Sequence, residues 1–218
     1  MIRLIPSLAS ADPLDLRGAI DSVPEAGMLH MDIEDGNFIP NITFGLRTVE
    51  AVSGRYPDRR LDVHLMVSDP GAYLEGLLEA GAARIAFQVE AASYPAALLS
   101  RIRAGGAQAG LAFDLRTPLE LAGIYADRLD HVLLMTAEPD GEGQRFNPWA
   151  LSRIARARAI LPERVGIAVD GGISPELLPQ VVRAGADTVV LGRAVWGAER
   201  PGERYRELTA LANEARRG

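Results

Sequence analysis

Leu29-His30-Met31-Asp32-Ile33-Glu34 alternates apolar and polar side chains, the pattern of a β-strand whose successive residues face opposite sides. His30, Asp32 and Glu34 therefore share one face, with Leu29, Met31 and Ile33 on the other. Three such groups on one face are expensive to bury unless a metal ion or a hydrogen-bond network compensates them. Two further segments supply partners: His64 in LDVHLM at 61–66 and Asp170 in GIAVDGGI at 166–173, both close to the ends of short apolar runs. Side chains from runs so distant in the chain converge only if the runs close into a barrel.

The rest of the chain supplies the staves. Short β-rich apolar runs recur at Ile2–Ser7, Met28–Ile33, Leu61–Met66, Arg84–Val89, Gln108–Phe113, His131–Met135, Val165–Val169 and Thr188–Gly192. Between them lie segments with apolar residues three and four apart, such as Ala72–Ala80 and Pro175–Ala184, and a last helix is predicted at Tyr205–Arg216. Glycine after a periodic segment, in AGM at 26–28, AGAA at 80–83 and AGAD at 184–187, predicts a helix C-cap before the next strand. Strand and helix alternating eight times predict an α/β fold, a single (β/α)₈ TIM barrel over 1–218, in preference to an open doubly wound sheet. No proline-rich or polar linker divides the chain. The long stretches Glu34–Leu46 and Ala137–Pro148, rich in Gly, Asn and Pro, are expected as loops over the active face.

Composition narrows the function. The 218 residues carry 29 acidic against 23 basic side chains, a net charge of −6, which argues against nucleic acid as a partner and for a small molecule. No stretch approaches the roughly 20 apolar residues of a membrane-spanning helix, so no membrane partner is expected and the expected location is cytoplasmic. There is no cysteine, so thiolate ligands and thiol nucleophiles are excluded. Lysine is absent too, which excludes a lysine Schiff base.

His30, Asp32, His64 and Asp170 combine two imidazoles and two carboxylates without sulfur, a donor set suited to one divalent ion, Zn²⁺ first and Mn²⁺ or Fe²⁺ otherwise. The plainer alternative makes the histidines packed core residues and the aspartates loop caps. His131, the third histidine, opens its strand at the opposite end of the barrel and is expected to be structural.

Five stretches carry a resemblance: PSLASAD at 6–12, LHMDIEDGNFIPNITFG at 29–45, LDVHLMVSDP at 61–70, LLMTAEP at 133–139 and VDGGI at 169–173. In content, order and spacing the chain resembles the ribulose-phosphate 3-epimerase family over essentially its whole length. The resemblance implies that His30, Asp32, His64 and Asp170 are metal ligands and that Ser7, like His64, contacts substrate. It implies that Met66 and Met135 line the site, although core packing explains methionines equally well. The implied reaction is inversion of the carbon beside a ketose carbonyl, with Asp32 and Asp170 as the catalytic acid and base on its two faces. D-Ribulose 5-phosphate and D-xylulose 5-phosphate are the default substrates, and a homo-oligomer is the family's tendency. Asn41, Ile42 and Thr43 follow Pro40 in a loop able to cover the substrate, a composition that turn chemistry alone also explains.

The departures from the family pattern fall around the substrate. Glu34 stands where the family usually has methionine, and Gln88 where it usually has histidine. Pro139-Asp140-Gly141-Glu142-Gly143-Gln144 replaces a glycine-rich phosphate turn, leaving Gly141 and Gly143 to offer backbone N–H groups beside two new acids. Asp114-Leu115-Arg116-Thr117 replaces the usual Asn-Pro-x-Thr. Arg193 follows Gly192 where serine is usual, and can clamp a phosphate or carboxylate. Gly171, Gly172 and Gly192 retain the close backbone approach of barrel phosphate sites. Two alternatives stay open: an epimerase of another ketose phosphate, sugar or sugar acid, and a catalytically silent sugar-binding barrel.

Overall fold

The structure, a computed structural model, describes residues 2–138 and 144–217. Its strands are β1 (Arg3–Pro6), β2 (Met28–Glu34), β3 (Arg60–Met66), β4 (Arg84–Gln88), β5 (Gln108–Phe113), β6 (His131–Met135), β7 (Gly166–Asp170) and β8 (Thr188–Leu191). Helices α1 (Leu16–Ser22), α2 (Leu46–Arg55), α3 (Leu74–Glu79), α4 (Pro95–Ala104), α5 (Glu120–Ile124), α6 (Trp149–Ile160), α7 (Leu178–Ala184), α8 (Arg193–Trp196) and α9 (Pro201–Arg217) fill the intervals. The sheet runs β1-β8-β7-β6-β5-β4-β3-β2, and every ladder in it is parallel. The seam between β1 and β2 is joined by one parallel bridge, Ser7 to His30, which brings the barrel to near closure at the candidate site.

The period-two reading of β2 holds around the barrel. Leu29, Met31 and Ile33 of β2, Val63 and Leu65 of β3, Ile85 and Phe87 of β4 and Val132 and Leu134 of β6 belong to the large core outside the sheet, against the helices. Fully burying each such side chain is worth roughly 1.5–3 kcal/mol, so this shell is where most of the hydrophobic stabilisation resides. Inside the barrel a second cluster holds only Ala86, Ala112, Leu133, Ala168 and Val190. Many of the other inward positions are polar, and they include His30, Asp32 and Glu34 on β2, Asp62 and His64 on β3 and Arg84 on β4, all buried.

Several boundaries differ from expectation. The helix expected at Ala72–Ala80 is a 3₁₀ turn at Pro70–Ala72 followed by α3, because Pro70 and the Asp69 side chain, which accepts from the Gly71 N–H, start a tighter turn. The segment expected from Pro175 becomes helical at Leu178, and the last helix begins earlier, at Pro201. Gly81 (φ 78°) and Gly185 (φ 119°) do follow helices in the left-handed region. Gly27 does not: α1 already ends at Ser22, capped by Val23, and Gly27 lies beyond that turn.

Candidate active site

The functional side chains sit at the C-terminal ends of β1, β2, β3, β6 and β7, the end where barrel enzymes carry their chemistry. Register places them at matching heights, Asp32 beside His64 and Met135 beside Asp170. His30, Asp32, His64 and Asp170 present four ligand atoms, all within 4.8 Å of one another. His30 Nε2 lies 3.0 Å from Asp32 Oδ1 and 3.7 Å from Asp170 Oδ2, and His64 Nδ1 lies 3.3 Å from Asp32 Oδ1. Two imidazoles and two carboxylates facing one another at this spacing fit a divalent cation. The opposite nitrogen of His64, Nε2, is buried with no hydrogen-bond partner among the described residues.

The surroundings treat the two carboxylates oppositely. Burial alone pushes the Asp32 carboxyl up, but the charge of His30 and hydrogen bonds from His30 and His64 hold it well below the usual carboxylate range. Burial and then the charge of Asp32 push Asp170 up to about 6. Burial likewise disfavours the His30 cation, yet the charge of Asp32 and hydrogen bonds with Asp32 and Asp62 raise its pKa well above the ordinary value. The Ser7 hydroxyl donates to Asp32 Oδ2 at 2.8 Å, so Asp32 is fixed from both β1 and β2. Trp196 Nε1 in turn donates to the Ser7 carbonyl at 2.6 Å, tying α8 to the site.

Above the cluster opens a cavity of about 650 Å³. Ser7, Asp32, Met66, Met135 and Asp170 line it, with Gly171, Gly172, Gly192 and Arg193 along one side and Glu34 and Asn41 along the other. His64, expected to touch substrate as well as metal, is fully buried and does not line this cavity. Arg193 is exposed and reaches the Gln144 carbonyl at 3.4 Å. Gly141 and Gly143 lie outside the described residues. His131, at the start of β6, is buried away from the cluster, and burial followed by the nearby Arg84 charge lowers its pKa well below the ordinary value.

Three features were missed or left open. Glu34 accepts from Asn41 Nδ2 at 2.5 Å, and burial, followed by the charge of Asp32, pushes it up to about 7. Thr43 donates from Oγ1 to the Asp32 carbonyl at 2.5 Å, so the 41–43 segment is anchored on β2. Asp62 meets His30 from below: the alternation Asp62, His64 in LDVHLM puts both on one face, and the β2–β3 register sets Asp62 beside His30.

Asp35, just past β2, secures the loop. Its Oδ1 accepts from the N–H groups of Asn37 and Phe38 and its Oδ2 from that of Ser68, at 2.8–2.9 Å. Desolvation pushes its carboxyl up, but these donors outweigh it and hold the group well below 3.8. Because the folded chain prefers the ionised form, the stabilisation is complete above the unfolded value of about 3.9 and is lost as pH falls below it. Asp35→Ala is expected to cost about 2 kcal/mol at pH 7 in urea unfolding. The gap from the parent should narrow below about pH 4, and a pH-independent gap would refute the assignment.

Gly171 (φ 118°) and Gly172 (φ 64°) lie in the left-handed region. A Cβ on Gly172 would run into the backbone carbonyl of Gln144 and come within 2.6 Å of the Phe146 nitrogen. In Gly172→Ala the left-handed strain alone is about 1–2 kcal/mol, so the melting temperature should fall by roughly 2–8 °C. Displacement of 144–146 should also raise KM, and an unchanged melting curve and KM would show that the loop yields freely.

Fold and site together define a parallel (β/α)₈ barrel with a candidate divalent-metal cluster at its catalytic mouth. The chain belongs to the ribulose-phosphate 3-epimerase family, an enzyme family of the isomerase class: residues 3–196 match the model described as "Ribulose-phosphate 3 epimerase family". It is 36% identical over 218 residues to the ribulose-phosphate 3-epimerase of Mycobacterium tuberculosis (strain ATCC 25618 / H37Rv), covering 97% of this chain and 93% of that one. It is 37% identical to the ribulose-phosphate 3-epimerase of Bacillus subtilis (strain 168), covering 90% and 93%. Among solved structures, KGPDC from Streptococcus mutans superposes with a TM-score of 0.77 at 14% identity, covering 99% of each chain. The 3-hexulose-6-phosphate synthase of Salmonella typhimurium gives 0.77 at 19%, covering 98% of this chain and 100% of that one. At those identities the likeness speaks for the fold alone. Among the described residues no helix is long and apolar enough to cross a membrane.

Proposed function

We propose that residues 1–218 act as one barrel domain that epimerises a ketose phosphate at the carbon beside its carbonyl, with D-ribulose 5-phosphate and D-xylulose 5-phosphate as substrate and product. The observation that carries this reading is the pair Asp32 and Asp170, brought together from β2 and β7 with carboxylate oxygens 3.0 and 3.7 Å from His30 Nε2. Inverting a carbon requires a proton to leave one face and another to arrive on the opposite face. Asp32 and Asp170 are the two carboxylates placed to do this, one ionised to take the proton and the other protonated to return one. In the reverse direction the roles exchange.

His30, Asp32, His64 and Asp170 would hold one divalent ion, Zn²⁺ first and Mn²⁺ or Fe²⁺ otherwise, which supplies a Lewis acid beside the carbonyl oxygen. Ser7 orients Asp32 through its 2.8 Å hydrogen bond. Met66 and Met135 give the cavity apolar walls that keep water from the carbanionic carbon. Gly171, Gly172, Gly192 and Arg193 form the side that would receive the phosphate, with Gly141 and Gly143 proposed to contribute N–H groups there.

The test is to incubate the metal-reconstituted protein with ribulose 5-phosphate in D₂O. Xylulose 5-phosphate carrying deuterium at C3 is expected, whereas neither product nor C3 exchange would sink the reading. A second reading, another ketose phosphate or a sugar without phosphate, is favoured by Glu34, a buried carboxylate lining the cavity beside Asp32. A substrate panel separates the two by kcat/KM.

A further inference from the structure

The barrel does not turn apolar beneath the cluster. Asp62 lies on β3 two residues before His64, on the same inward face, and its Oδ2 is 2.8 Å from Nδ1 of His30. Its Oδ1 is 3.4 Å from Nε of Arg84, the neighbouring residue in the β3–β4 register. His30, Asp62 and Arg84 are 1%, 3% and 2% exposed, so water does not screen these contacts. Each oxygen of the Asp62 carboxylate thus faces a different partner, which fixes its plane as well as its charge.

An ionised carboxylate only accepts hydrogen bonds, so Nδ1 of His30 must be the donor. That leaves Nε2, the nitrogen facing Asp32 and Asp170, to offer its lone pair once a cation displaces any proton there. We propose that Asp62 and Arg84 are positioning residues that set the tautomer and ring plane of His30 and thereby its strength as a metal ligand. Carboxylate partners of this kind raise ligand basicity, and their loss typically weakens metal binding by about 10–100-fold. The inference rests on the reading of the cluster as a metal site. The competing account is that Asp62 and Arg84 form a buried ion pair that affects stability alone.

The test uses the full chain with D62N, R84M, R84K and the double variant D62N/R84M. The double variant leaves no unpaired charge behind and so guards against a single variant that does not fold. Three readouts are compared: ¹⁵N shifts of the histidine ring nitrogens in the metal-free chain, Zn²⁺ affinity in competition with a chromophoric chelator, and the visible spectrum of the Co²⁺-loaded chain. We expect D62N and the double variant to redistribute the His30 tautomers and weaken Zn²⁺ by about 10–100-fold with an altered Co²⁺ spectrum. R84M should lose several-fold in affinity, and R84K should recover part of that loss. Folded variants that match the parent in ring shifts, affinity and Co²⁺ spectrum, whatever their melting temperatures, would overturn this inference alone. A parent chain that binds neither ion would overturn this inference and the metal reading together.

Discussion

Asp170→Asn should lower epimerase turnover by roughly 10³-fold while the barrel stays folded. Asparagine keeps the shape of the side chain but can neither deliver nor accept the proton that completes inversion. Asp32 is left in place with its Ser7 hydrogen bond. In D₂O the variant should therefore still exchange the C3 hydrogen of one epimer, the one whose C–H bond faces Asp32, and lose exchange of the other. The measurement is run with saturating metal, so that weaker ligation by the neutral amide is not mistaken for lost chemistry. Turnover within tenfold of the parent, or equal loss of exchange from both epimers, would remove Asp170 from the two-base assignment.

Removing divalent metal by chelation should abolish turnover and lower the melting temperature, and restoring Zn²⁺ should reverse both. A ligand present at 100 times its dissociation constant stabilises the folded state by about 2.7 kcal/mol. For a chain of this size that corresponds to roughly 5–10 °C. The increment should depend on pH with a definite sign. Burial and the charge of Asp32 raise Asp170 to about 6, so in the metal-free chain a proton occupies that ligand below this value. Metal must displace it, and the stabilisation by Zn²⁺ should shrink as pH falls from 7.5 through 6. A Zn²⁺-induced shift that is absent at pH 7.5 would argue against these four residues as a metal site.

The barrel and its cluster were legible because two periodicities say the same thing. Apolar alternates packed β2 against the helices, which left His30, Asp32 and Glu34 nowhere to point but inward, and His64 and Asp170 obeyed the same rule. Less legible was anything that depends on register between strands. Arg84 opens β4 and reads as an ordinary charge at a strand start; alternation with Ile85 and Phe87 turns it inward, and only its alignment with Asp62 gives it a buried partner. The anchoring of Asn41 and Thr43 on β2 was likewise hidden, since a Pro- and Asn-rich loop has the same composition whether or not it is tied down. Gly27 misled for the opposite reason: a glycine before a strand resembles a cap, but α1 had already stopped at Val23.

The five-residue apolar cluster inside the barrel, set against the large shell outside it, divides the molecule into two economies of mutation. Cohesion comes mainly from the outer shell, whereas the cavity is lined largely by residues outside it, such as Asp32, Glu34, Met66 and Met135. A change such as methionine to glutamate at position 34 can therefore alter what the mouth recognises while leaving the staves in place. This architecture lets one scaffold explore new sugars through its lining without first having to relearn how to fold.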